Sequence, residues 1–247
     1  MVRTVLPFLV FAITLLAAAL AVPALRAQAP DFSGIYQGGG PIDDISEGLK
    51  PGEKLPQLRP EARKVFEARL SKDDPETHCL PTGVPRIAPY PWRIVQTSTH
   101  IFFLFEGNIH SYRQIFIDGR GHPADPDPTW YGHSIGHFEG NALVVDTVGF
   151  NDKFWFDFKG HPHTERLHTV ERYRFDGPNK LVNEVTIDDP GAYEKPFQVT
   201  FTARRARAGT ELMEYICQEN NQDLPHIQGP PTVGGDPARP QGTLGKP

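Results

Sequence analysis

Read with the two-residue period of a strand, several segments place one polar or ionisable side chain among large apolar ones. Arg113 shares a face with Ile109, Ile115 and Ile117, and Glu171 shares one with Leu167, Tyr173 and Phe175. Asn183 lies with Leu181, Val185 and Ile187, Glu214 lies between Leu212 and Ile216, and His133 and His137 flank Ile135. If these faces line one interior, Arg113, His137, Glu171, Asn183 and Glu214 meet inside it. An imidazole and a carboxyl held together in an apolar surround form an acid and a base, and a guanidinium beside them steadies an anion. The chemistry would be proton transfer on a small organic molecule. His137 and Glu171 would be the pair, with Arg113 and Glu214 as the other charged members and His133, Asn183, Trp130, Trp155 and Tyr173 touching the ligand. The competing reading is a structural network, because a buried charge costs several kcal/mol unless it is paired.

A confined site also needs a cover. The stretch from Gly149 to Arg166 has no clear period and carries Phe150, Trp155, Phe156 and Phe158. An aromatic loop of that length is expected to close over a site as a lid. It ends in His161-Pro-His163, and two histidines two apart supply at most two metal ligands. The others would have to be borrowed from Asp146, Glu165 or His168, so no metal is expected, and no cofactor. The sequence has no Gly-rich phosphate loop, no Gly-x-Ser-x-Gly, no His-Glu-x-x-His and no Cys-x-x-Cys.

The elements that must hold these residues are strands. An early strand follows Asp31, and alternation then marks strands at about 92–97, 99–106, 109–118, 133–139, 141–148, 167–175, 180–188, 198–205 and 210–217. Turn chemistry separates them at Glu106-Gly-Asn108, Glu139-Gly-Asn141, Asp176-Gly-Pro-Asn179 and Ala208-Gly209. One helix is expected at 60–70, opened by Pro60 with Glu61 in its first turn. Nine or ten strands without helical crossovers predict an all-β fold, an antiparallel meander closed as a calycin-like barrel, with one short outer helix and long N-terminal loops.

The first residues read as an export signal: Arg3, an apolar run from Val5 to Leu25, and the small-residue ending Ala27-Gln-Ala29. An uncleaved anchor is the alternative, since the run is long enough to cross a bilayer. The expected organisation is 1–29 secretory signal, 30–91 N-terminal strand, loops and helix wrapping the sheet, 92–220 main barrel, and 221–247 a flexible Pro/Gly-rich tail, with 30–220 one structural domain. Removing Arg3 and Arg26 with the leader leaves 23 Lys and Arg against 30 acids, a net charge of about −7. Nucleic acid is therefore not an expected partner. Nor is a membrane once the leader is gone. Cys79 and Cys217 are the only two cysteines. In an oxidising compartment they can pair, and a bridge is expected, the alternative being two buried thiols.

The string Pro123-Ala-Asp-Pro-Asp-Pro-Thr-Trp130 and Gly132-His-Ser-Ile-Gly-His-Phe-Glu-Gly-Asn-Ala-Leu-Val-Val-Asp-Thr-Val-Gly-Phe-Asn151 resembles a large set of exported bacterial proteins of unknown function. The resemblance continues through Gly160-His-Pro-His-Thr164, His168-Thr-Val-Glu-Arg172, Val185-Thr-Ile-Asp-Asp-Pro-Gly-Ala-Tyr193 and Glu214-Tyr-Ile-Cys-Gln-Glu-Asn220, covering about 78–220. Phe138 stands where that set usually has Trp, and Asn141 where it has Asp. It implies export and no particular activity. Gly34-Ile-Tyr36 is similar to the Gly-x-Trp that opens lipocalin and calycin barrels, with Tyr in place of Trp.

Together these point to a periplasmic or secreted barrel that binds a small, partly apolar organic ligand in a polar-lined cavity. The alternatives are a cofactor-independent hydratase, lyase or isomerase using a His/Glu pair, and a structural envelope protein. Protein recovered from outside the cytoplasm should begin at residue 28 or 30 on N-terminal sequencing; a start at Met1 would show that the leader is kept.

Overall fold

The computed structural model describes residues 29–219 apart from 42, 87–89 and 108–110, so the expected leader up to residue 28, the tail and Ile109 lie outside the described residues. Nine strands form one closed barrel: β1 Gly34–Gly38, β2 Trp92–Gln96, β3 His100–Phe105, β4 Tyr112–Phe116, β5 His133–Glu139, β6 Ala142–Val148, β7 His168–Phe175, β8 Lys180–Asp188 and β9 Phe197–Arg205. Neighbours in sequence are neighbours in the wall, and β1 closes the ring against β9 through Tyr36↔Arg205 and Gly38↔Ala203.

The expectation of a purely antiparallel meander is corrected at one seam, where β4 and β5 run parallel through Ile115↔Ser134 and Phe116↔Ile135. Each antiparallel contact reverses direction, and a closed ring must return to its starting direction, so nine strands cannot all be antiparallel. A parallel pair needs a long connection. The chain from Ile117 to Gly132 supplies it.

The expected strand at 210–217 does not form, since β1 already occupies the free edge of β9. That segment is irregular, held by a hydrogen bond from the Met213 amide to Glu106 Oε2 (2.9 Å) and by the Cys79–Cys217 disulfide. The helix α1 spans Pro60–Ala68, with Pro at its start and Ala62 buried. It lies outside the barrel as expected, and Phe66 stacks on His161.

Inside, pleat alternation selects the core. Ile101, Phe103, Ile115, Leu143, Val145, Leu181, Val185, Ile187 and Val199 are buried on the inner face, with Tyr36 and Trp92 beside them. Phe32, just before β1, is fully buried and stacks on Phe175 at 5.0 Å and on Phe138 at 6.4 Å.

The aromatic loop after β6 is not a lid; this expectation too is corrected. Phe150, Phe154 and Phe156 are fully buried and Trp155 nearly so. Asp157, also fully buried, accepts from the amides of Ile45 (2.6 Å) and His161 (3.0 Å). Phe154 leaves no room for a side chain at Gly83. The loop is a packed layer pinned beneath the N-terminal segment, and that segment carries a buried ion pair of its own, Arg86 to Asp74 at 2.9 Å.

The disulfide closes a loop of 138 residues. Denatured without reductant, the chain should take up no alkylating reagent. Replacing both cysteines by Ser should lower the unfolding free energy in urea by about 4–5 kcal/mol on the loop-entropy account.

Candidate functional site

Five adjacent strands converge on one polar network in the barrel. Arg113 on β4 donates through Nη2 to Glu171 Oε2 on β7 and to Thr147 Oγ1 on β6 (2.8 Å), and through Nε to Ser134 Oγ on β5 (3.2 Å). The other oxygen of Glu171 accepts from Tyr173 OH (2.7 Å) and from Asn183 Nδ2 on β8 (3.3 Å). Burial, and then the Glu171 charge, push the Tyr173 hydroxyl far above the usual phenol range. Burial acts most strongly against the Arg113 charge, yet Glu171 and Tyr173 together hold its pKa above the ordinary value. Asn183 Oδ1 and Thr169 Oγ1 are buried with no partner among the described residues.

This interior is filled rather than hollow. Tyr36, Trp92, Phe103, Arg113, Glu171, Tyr173 and Asn183 are each at most 2 % exposed. A void that admitted a water molecule would leave the side chains around it accessible. The expected polar-lined cavity is therefore replaced by a packed ion-pair network. Two surface grooves lie elsewhere, one along 176–180 and 202–204 and one between 49–57 and 194–198, and neither touches the network.

Arg113, Glu171, Asn183 and Tyr173 thus meet as expected, and His137 and Glu214 do not. In β5 the inward residues are Ser134, Gly136 and Phe138, one position out of step with the expected face. Phe138 reaches the Phe32 ring, and Ile135 faces outward with Asp146 as its partner. A one-residue shift exchanges the faces of a strand. His137 is consequently exposed and hydrogen-bonds Glu139 (3.0 Å), and Glu214 is exposed on the irregular C-terminal segment. Trp130 packs part-buried against the core, and Trp155 lies under the Arg69 guanidinium at 4.7 Å.

His161 and His163 do not form a pair. His161 Nδ1 is 2.5 Å from Asp157, whereas His163 is buried against Phe154 at 3.7 Å and its pKa is pushed down to about 3 by that burial. Asp44, Asp157 and His161 bring ligand-type atoms within 4.8 Å of one another. Their charges are already used, Asp44 on Lys159 (2.5 Å) and Asp157 on two amides and the imidazole, so this cluster is a clamp on the loop.

The inversion of β5 puts His133 on the outer wall, and there a second ionisable group assembles. His122, from the β4–β5 connection, has its Nδ1 2.8 Å from Nδ1 of His133 and its Nε2 3.0 Å from Asp146 Oδ1. His168 Nε2 reaches the same oxygen at 3.0 Å. The His133 ring stacks on Phe116 (5.2 Å), which stands next to His100 (5.1 Å), and His100 stacks on Phe102 (5.5 Å). Arg120 lies over Phe116 at 3.9 Å while forking onto Asp118 (2.9 and 2.6 Å). From sequence, Asp146 and His168 are reached only as ligands for the wrong histidines, and His122 is not reached at all. The signal that could have found the cluster is an outward ladder, His133, Asp146 and His168 on three consecutive strands. Comparison with protein-family models and with curated proteins returns no match.

Because Glu171 holds the inward guanidinium, Glu171→Gln should leave Arg113 short of its counter-charge and destabilise the fold by about 3 kcal/mol. Denaturant melts of the two chains measure this. An unchanged midpoint would show that water reaches the pair.

Proposed function

We propose that the chain works outside the cytoplasm as a barrel that binds a small, partly apolar organic molecule, and that it does so on its outer wall rather than in its interior. The observation that carries this reading is the strip Phe102, His100, Phe116 and His133, which runs across β3, β4 and β5 into the His122–Asp146–His168 cluster. Phe102, Phe116, His100 and His133 are half-buried and the neighbouring Tyr112 is 58 % exposed, so ring faces and edges remain open to solvent. Partly exposed aromatic surface ending in hydrogen-bonding imidazoles suits a flat molecule with one polar end.

The compartment is supported by the Cys79–Cys217 bridge, since structural disulfides persist where thiols are not kept reduced. The packed interior supports a purely structural role for Arg113, Glu171 and Tyr173. A polar cavity around them would require the barrel to open.

2-Naphthol, flat and apolar with one hydroxyl, is the test ligand. Titrated into the leader-free chain, it should shift the NMR signals of the Phe116 and His133 rings. Phe116→Ala should weaken it by about tenfold, the loss of one good aromatic contact, with Tyr173→Phe unchanged. Shifts confined to Tyr173 and Phe103 would place the ligand inside, and no saturable shift would favour a structural envelope protein.

A further inference from the structure

With the rings neutral, donor counting assigns the ring protons of His122 and His133. The Asp146 carboxylate only accepts, so Nε2 of His122 and Nε2 of His168, both 3.0 Å from its Oδ1, each carry a proton. A neutral His122 then has a bare Nδ1. The Nδ1 of His133, 2.8 Å away, must be the donor to it. That leaves the free lone pair of the two rings on Nε2 of His133, the imidazole stacked on Phe116 at the head of the aromatic strip.

Resting on the outer-wall binding reading, we propose that His133 Nε2 is a general base that takes a proton from a flat, partly apolar carbon or oxygen acid, with His122 and Asp146 as positioning residues behind it. The substrate's C–H or O–H bond breaks and its electron pair stays on the substrate. The proton goes to His133 Nε2, and the proton on His133 Nδ1 passes to His122 Nδ1. The resulting His122 imidazolium is held by Asp146, the arrangement by which a carboxylate orients and steadies a catalytic imidazole. Reversal returns a proton to the same or a neighbouring atom of the substrate. An isomerisation by this route balances without any co-reactant.

The charged and titratable groups around the base are His122 and Arg120 with its Asp118 partner on the connection, His100 on β3, Asp146 on β6 and His168 on β7, opposite Asp188 in the register of β8. Burial, followed by His122 and Arg120, holds His133 below the ordinary imidazole range. The bare Nε2 is therefore already the resting form at neutral pH. Activity should rise with pH to a plateau through a midpoint below that of a free imidazole.

The test uses 5-nitrobenzisoxazole, whose ring opens when a base removes its C–H proton: the N–O bond breaks and a coloured nitrile phenolate forms. The leader-free chain should open it faster than buffer. His133→Gln should lower that rate by about a hundredfold, the lower range for removing a general base, while melting as the parent does. Asp146→Asn should move the midpoint of the pH profile downward, because the imidazolium loses its anion; a role in folding alone would leave the midpoint in place. In the unmodified chain, imidazole ¹⁵N spectra should show the proton of His133 on Nδ1 and that of His122 on Nε2. Equal rates in His133→Gln, or the opposite tautomers, would overturn the proposal. Turnover through His133 without 2-naphthol binding would instead uphold the base and overturn the binding reading.

Discussion

A closed ring of strands returns to its own starting direction, so its antiparallel contacts must be even in number. Nine strands therefore require at least one parallel contact, and in this barrel it falls between β4 and β5. A parallel contact cannot be made by a hairpin. The connection from Ile117 to Gly132 has to travel back along the wall, and in doing so it carries Arg120 onto Phe116 and His122 between His133 and Asp146. The outer-wall cluster is in this sense a by-product of closure. The same seam leaves β5 only a short pairing with β4, two residue pairs against seven with β6.

Closure also determines what the interior can be. With Trp92, Tyr36, Phe103 and Tyr173 pointing inward, the lumen is filled by side chains, as small barrels commonly are. The one polar layer then has to satisfy itself. Glu171 receives Arg113, Tyr173 and Asn183, and Arg113 also reaches Ser134 and Thr147. Such a layer contributes little net stability compared with an apolar one, but removing a single partner leaves a charge stranded. It ties β4, β5, β6, β7 and β8 together, across the parallel seam where the ladder is thinnest.

Around this barrel the N-terminal segment, the aromatic loop and the C-terminal segment form a second layer. Beside its ion pairs, several of its polar contacts are directed at backbone: Asp157 to the Ile45 and His161 amides, Arg69 to the Gly160 carbonyl, Glu106 to the Met213 amide. The disulfide joins the first and last of these segments. Irregular chain can be buried when its backbone groups are met in this way. That is why a loop with four buried aromatic rings behaves as core and not as a cover.

The strand periodicity and turn residues were sufficient for the all-β class, for β1 and for every strand from β2 to β9. They were sufficient too for the inward faces of β4, β7 and β8, where Arg113, Glu171, Tyr173 and Asn183 share a face with Ile and Leu. Alternation is local, so it was enough wherever one face was plainly more apolar than the other. In β5 each face carries one large apolar residue, Ile135 or Phe138, and the choice was made by the space beside the buried Phe32 ring, which Phe138 fills. That choice sent His133 and His137 outward, and only the wall then decided which met a partner. His133 faces His122 from a connection whose path no local pattern encodes, whereas His137 reaches Glu139 on its own strand. Whether 210–217 became a tenth strand was likewise decided at a distance, by β1 occupying the edge of β9. Residue type and spacing determine what each segment can do; ring closure determines which segments are left to do it.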